Sequence, residues 1–299
     1  MAEQSGGSGE AAIIRTCRWG EEERVLSSTL LPIFGDRIIV AFHGNPPDCI
    51  PHKVAAFDDD WVRDRGLQIV PKYGWRCGDY ALYRAREQAP EFERYWLIEP
   101  DVHFIHAEAF FEECAADTSD LLGCRIRPAN PTGRWGRTVR DVEPWAALFC
   151  LLRITGSGID FVREKRLKTS ERKLRPVMCP NDEVLVFSYL QAHPEMTVAC
   201  IEDVAPGWID PERFRPAHKF LRESIDTGSG SVVHPVVGRS AYIKATAERF
   251  LPRQRELSDE VAKALATFDD DDLEQLVAHM AKTFRTRLGN VVRQARRTG

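Results

Sequence analysis

Nowhere does this chain contain the roughly twenty consecutive apolar residues that a membrane-spanning helix needs. Its longest apolar stretch, Pro144 to Ile154, is short, is followed by glycine and charge, and reads as a buried strand. The opening residues, MAEQSGGSGEAA, have neither a basic start nor an apolar run, so no export signal is expected and a cytoplasmic location is. The eight cysteines are never two residues apart, which removes zinc-ribbon and thioredoxin-type spacing. Cys124, Cys150 and Cys200 lie inside apolar runs, where reduced thiols act as small core residues. Neither sign of charge dominates: 41 Lys and Arg stand against 45 Asp and Glu, a net charge of −4, so nucleic-acid binding is not expected. Gly156-Ser157-Gly158 is not followed by Lys-Ser/Thr, so no phosphate-binding P-loop is present. Internal repeats are absent too.

What is present is an ordinary globular composition, 43% apolar and 29% charged over 299 residues, enough for one large α/β domain or two small ones. Residues 1–12 are Gly/Ser-rich and expected to be disordered. The β-branched run Arg37 to Phe42 predicts a strand that ends in the loop His43-Gly44-Asn45-Pro46-Pro47. Further strands are expected over 67–70, 95–98, 121–126, 146–154 and 197–201. Helices are expected over 79–89 (capped by Asp79 and stopped by Pro90), 106–116, 158–166 and 183–191. Strands alternating with helices of this length predict a mainly parallel sheet with helices on its faces. Residues 205–231, rich in Pro, Gly and charge, are expected to form a long loop. At the C-terminus, Asp269 to Asp272 open a helix in which Leu273, Leu276, Val277, Met280, Phe284 and Leu288 recur at helical spacing. Lys282, Arg285, Arg287, Arg293, Arg296 and Arg297 load its far end. A docked helix with dipole-matched ends and a peripheral membrane contact through its basic end are the two readings of that pattern. The expected division is a catalytic domain over 13–255 and a helical segment over 256–299.

The local signal richest in chemistry is RYWLIEPDVHF, Arg94 to Phe104. There an apolar strand ends in two carboxylates, Glu99 and Asp101, at the position where open α/β sheets bind ligands. Acids so spaced can coordinate Mg²⁺ or Mn²⁺ beside substrate phosphates, and they can equally form a solvated acidic turn.

The stretch Gly74 to Phe104 resembles the donor-site half of GT-A-type glycosyltransferases, and the resemblance extends over residues 37–245. It implies a GT-A-like (Rossmann-like) fold with a C-terminal helical extension. It further implies a nucleotide-sugar donor and Asp101 as main ligand of a divalent cation, with Glu99 standing where the commoner first Asp would be. Pro180 to Leu190 resembles the acidic helix start of core-2/I-branching-type and related bacterial nucleotide-sugar transferases. That match makes Glu183 the base and Asp182 an orienter of acceptor hydroxyls, with inversion at the sugar. Val232 to Val236 resembles the late histidine that closes the metal site, here His234. Core-2-type enzymes neutralise the diphosphate with basic residues and no metal, parts that Arg239 and Lys244 could fill.

A glycan or other hydroxyl acceptor follows from the same match. His43 either meets the nucleotide base or is a loop histidine without a role. Asp58, with Asp59 and Asp60, either touches the nucleoside or forms an acidic turn. Trp135 and Trp208, in Gly- and Pro-bearing loops, are candidates to stack on an acceptor sugar or to pack at the core rim. His103 and His106 straddle a strand end rather than sharing a helical face, which argues against a separate metal site. A metal-dependent hydrolase acting on a phosphorylated substrate through the same acids, and a non-catalytic binding protein of the same fold, are the competing functional classes.

Overall fold

The computed structural model describes residues 9–216, 219–226, 232–250 and 259–298, with side chains throughout except at 249, 250, 259, 260, 287, 288 and 290–298. The elements run β1 (Glu10–Thr16), α1 (Glu21–Phe34), β2 (Ile38–His43), β3 (Lys53–Phe57), α2 (Asp59–Asp64), α3 (Tyr73–Arg76), α4 (Asp79–Gln88), β4 (Arg94–Ile98), β5 (His103–Phe104) and α5 (Ala107–Cys114). They continue with β6 (Leu121–Pro128), β7 (Trp145–Thr155), α6 (Gly156–Glu171), α7 (Asp182–Gln191), β8 (Val198–Cys200), α8 (Ile201–Val204), β9 (Ile209–Phe214), β10 (Phe220–Leu221), β11 (Val232–His234), β12 (Val236–Val237), α9 (Arg239–Ala245), α10 (Asp259–Leu265) and α11 (Asp270–Thr298). Two compact units result, one of Met1–Phe214 with Gly230–Val233, the other of Arg215–Ser229 with His234–Gly299.

The first unit is a mixed α/β layer structure around a seven-stranded sheet of order β3-β2-β1-β4-β7-β6-β8. The β3, β2, β1 and β4 strands pair parallel, and β7 runs antiparallel to both β4 and β6. Parallel strands covered on both faces need apolar residues at every position, and β1 meets this demand with Ala11 to Ile14, all fully buried. Their period of two sends Ala11 and Ile13 into the core that holds α4 and α7, while Ala12 and Ile14 enter the core that holds α1 and α5. In β4, Tyr95 and Leu97 share the first core and Trp96 and Ile98 the second. A three-stranded sheet of order β5-β11-β9 adjoins the end of β4 in sequence.

The expected strands and helices at 37–42, 79–89, 95–98, 106–116, 121–126, 146–154, 158–166, 183–191 and 197–201 all have counterparts. Three expectations are corrected. Residues 10–12, placed in a disordered start, open β1 (1–8 lie outside the described residues). Residues 67–70 are not a strand: the Gln68 backbone N–H donates to Ser170 Oγ at 3.1 Å and its carbonyl accepts from Tyr80 Oη at 2.9 Å, so these groups are taken by side chains instead of a ladder. The strand of that region is β3, which precedes the acidic cluster. The expected loop over 205–231 contains β9, anchored by buried Ile209 and Phe214.

Asp79, expected as a cap, is instead the first residue of α4 and is fully buried with Arg166 of α6. Arg166 donates from Nε and Nη2 to the two carboxylate oxygens at 2.7 and 2.9 Å, and Tyr83 Oη donates to the same group at 2.6 Å. Arg166 Nη1 also donates to the carbonyl of Pro180 at 2.7 Å, which ties α6 to the chain entering α7. Removing one member of a buried pair strands the other without water. Asp79→Ala is therefore expected to cost about 3–5 kcal/mol in urea unfolding. A loss below about 1 kcal/mol would match an exposed pair instead.

Candidate functional site

Because β1 to β4 are mutually parallel, their C-terminal ends lie along one edge of the sheet. The register pairs Ile14 with Ile98, so Arg15, still paired with Ala41 of β2, stands beside Glu99, the first residue past β4. Both carry on the alternation that faces α4 and α7. There Arg15 forms an ion pair with Glu99 through Nη2 and donates from Nη1 to Asp182 Oδ2 at 3.1 Å. Asp182 opens α7, is itself buried, and accepts a second hydrogen bond from the Gly78 N–H at 2.7 Å. Gly78 is required for that approach, since a Cβ there would lie 1.3 Å from Arg15 Nη1 and 2.4 Å from Asp182 Oδ2.

Arg15 thus serves two acids at once. Burial pushes the Asp182 carboxyl up to about 7, helped by the nearby charges of Asp79 and Glu183 and opposed by Arg15 and the Gly78 N–H. Burial also raises Glu183, as does the charge of Glu99, against a hydrogen bond from Asn181 Nδ2 at 3.1 Å and the charges of Arg127 and Arg15. Glu99, Asp182 and Glu183 therefore share one electrostatic neighbourhood around Arg15.

The chain leaving β4 continues through Glu99 and Asp101 into β5, which pairs antiparallel with β11 (Val233 with His103). His234 is the next residue of β11 and is buried. The pairing of Val232 and Val233 with β5 carries the adjoining residue, His234, to its place. One ligand atom each of Glu99, Asp101 and His234 lies within 4.8 Å of the other two. Two carboxylate oxygens and an imidazole nitrogen form a donor set that fits a divalent cation, and the nitrogen suits Mn²⁺ better than Mg²⁺.

Other residues singled out in the sequence are placed differently. His43 ends β2 at the same sheet edge, where its Nε2 hydrogen bonds Tyr73 Oη (2.8 Å), which donates to Asp59 Oδ1 (2.8 Å). Burial lowers the His43 pKa. Asp58 caps α2, accepting from the Trp61 N–H at 2.9 Å through Oδ1. Trp135 packs on the core with the guanidinium groups of Arg76 and Arg134 over its ring, 5.1 and 4.5 Å from its centroid. Trp208 packs edge-on to Phe110 at 5.6 Å. Both tryptophans therefore have packing partners at the core rim. In the second unit, Arg239 donates from Nη1 to Asp272 (2.6 Å) and to the Thr267 carbonyl (2.8 Å) at the start of α11. Lys244 is exposed on α9.

Arg15 and Gly78 were not found from sequence. Arg15 follows the apolar run Ala11 to Ile14, whose strand signal was hidden by a Gly/Ser-rich start. An arginine directly after such a run is the one local sign that it sits at the sheet's ligand edge.

No family model matches the chain, and no curated protein matches it. Among solved structures the chain is similar to the crystal structure of mannose-1-phosphate geranyltransferase from Thermus thermophilus. The identity is 13%, the match covers 71% of this chain and 84% of that one, and the TM-score is 0.33. At that score the likeness assigns neither a residue nor an activity.

Arg15→Met would leave Glu99 and Asp182 without their shared cation, at an expected cost of about 3–5 kcal/mol near neutral pH. The sign of the pH dependence follows from Asp182. Its folded pKa, about 7 against an ordinary 3.8, means the folded state holds the proton more tightly, so stability falls as pH rises between those values. Without Arg15 that pKa rises further and the fall extends to higher pH. Thermal unfolding should therefore show a larger deficit for Arg15→Met at pH 8 than at pH 5. An equal deficit at both would sever the arginine from these carboxyls.

Proposed function

We propose that the chain is a nucleotide-sugar-dependent glycosyltransferase that moves a sugar from a nucleoside-diphosphate donor to an acceptor hydroxyl, with inversion. The observation that carries the reading is the convergence of Glu99, Asp101 and His234 within 4.8 Å at the end of β4, although His234 comes from a distant part of the chain. The charge balance around it supports the same reading. Glu99, Asp101, Asp182 and Glu183 outnumber Arg15 and Arg127, and the upward shifts of Asp182 and Glu183, set first by burial and then by neighbouring acids, are of the sign that a bound cation would oppose.

In this reading Glu99, Asp101 and His234 hold Mn²⁺ or Mg²⁺. When bound, the ion supplies Lewis-acid neutralisation of the departing diphosphate. Glu183 accepts the proton of the acceptor hydroxyl at its free carboxylate oxygen as the hydroxyl attacks, while the Asn181 amide holds the other oxygen, Oε2, at 3.1 Å. Arg15 holds Glu99 and Asp182 in place, and Asp182 in turn accepts from the Glu183 backbone N–H at 2.9 Å. His43, at the same edge of the sheet, is the candidate to meet the donor base.

The test has two parts. A thermal-shift screen of UDP, GDP, CDP and dTDP with Mn²⁺ should show one nucleotide that stabilises the chain with metal, and Asp101→Ala should abolish the shift. With the donor so chosen, Glu183→Gln should lower transfer by about 10²–10⁴-fold while the fold is kept. A base must be ionised, and Glu183 is raised, so the wild-type rate should climb with pH through a value above the usual carboxylate range, and Glu183→Gln should lose that limb. Stabilisation by Mn²⁺ alone with phosphatase activity would favour a hydrolase. No response to metal or nucleotide would leave a non-catalytic protein of this fold.

A further inference from the structure

α11 carries an apolar face that its own chain leaves uncovered. The helix docks through Asp272 and Leu276, both buried, with His279 and Thr283 partly buried along the same face. On the adjacent face Leu273, Val277, Met280 and Phe284 are 44%, 64%, 38% and 68% exposed. These four follow one another by four, three and four residues, the seam spacing of paired helices. Among the described residues only three other large apolar side chains, Leu31, Trp75 and Val177, are as open, and they lie on separate elements, so the exposure is concentrated on α11.

Charge selects what covers that face. Residues 270–277 hold Asp270, Asp271, Asp272 and Glu274 and no cation, whereas 278–298 hold Lys282, Arg285, Arg287, Arg293, Arg296 and Arg297 and no carboxylate. An anionic lipid surface would attract one half of the helix and repel the half that bears Leu273 and Val277. A parallel copy would set acids beside acids and bases beside bases. An antiparallel copy reverses this, setting acids beside bases, and also opposes the two helix dipoles.

We propose that α11 pairs antiparallel with α11 of a second copy of this chain through Leu273, Val277, Met280 and Phe284. In the register that matches all four, Leu273 of one copy faces Phe284 of the other and Val277 faces Met280. Residues 270–272 then run beside 285–287, which include Arg285 and Arg287. This inference stands independently of the transferase reading.

Sedimentation of the full chain at tens of micromolar should give a dimer, and the Val277→Glu, Phe284→Glu double variant should be a monomer with the same circular dichroism. Chains carrying Leu273→Cys mixed with chains carrying Phe284→Cys should form disulfide-linked heterodimers on oxidation, above the background of the parent chain. Neither should link to itself, since like positions stand roughly 16 Å apart along an antiparallel pair. Self-linking of the Leu273→Cys chain, a dimer that survives the double substitution, or a monomeric parent would each overturn the proposal. So would a monomeric parent that co-sediments with phosphatidylserine vesicles and loses this in the double variant, which would assign the face to lipid.

Discussion

Arg15 is shared by Glu99 and Asp182, partners 84 and 167 residues away in the chain. Much else at the sheet edge depends on that sharing. A carboxylate drawn into a protein interior needs a counter-charge or a proton, and a single guanidinium can serve two acids only if all three arrive with little freedom left. β1 and β4 provide the rigidity for Arg15 and Glu99 through one parallel register. Asp182 is brought by the α7 start, which Gly78 meets with a backbone N–H at a distance that admits no side chain. The Arg166–Asp79 pair anchors both of those segments, at the first residue of α4 and at the Pro180 carbonyl just before α7.

The same edge has more negative than positive charge, and this imbalance is its chemical character. Arg15 offsets part of it, and the Asp182 proton offsets more, at the cost of stability as pH rises. Maintaining such an excess has no benefit for folding. It makes sense for a surface that receives a cation or gives up a proton to a carboxylate, which is why the Glu99, Asp101 and His234 constellation carries more weight than three scattered ligand-type residues would.

Two features of the second unit concern α11. Arg239 donates from Nη1 to Asp272 and the Thr267 carbonyl at its head. α11 itself presents two seams side by side: one is covered by its own chain and the other holds four exposed apolar side chains.

Local pattern was enough to determine the alternation of strands and helices, the α/β class and the acid pair at the end of β4, because periodicity and the strand-end position are properties of short segments. It was also enough to nominate Glu99, Asp101, Asp182, Glu183 and His234 as one group through an ordered resemblance. Tertiary structure alone decided that β1 lies inside the sheet between β2 and β4, that Gln68 gives its backbone groups to side chains, and that Asp58, Trp135, Trp208 and Arg239 have local partners. The physical reason is range. A capping bond or an ion pair depends on which group stands opposite in space, and Arg15 can be recognised as the hub of this edge only once strands far apart in sequence lie side by side.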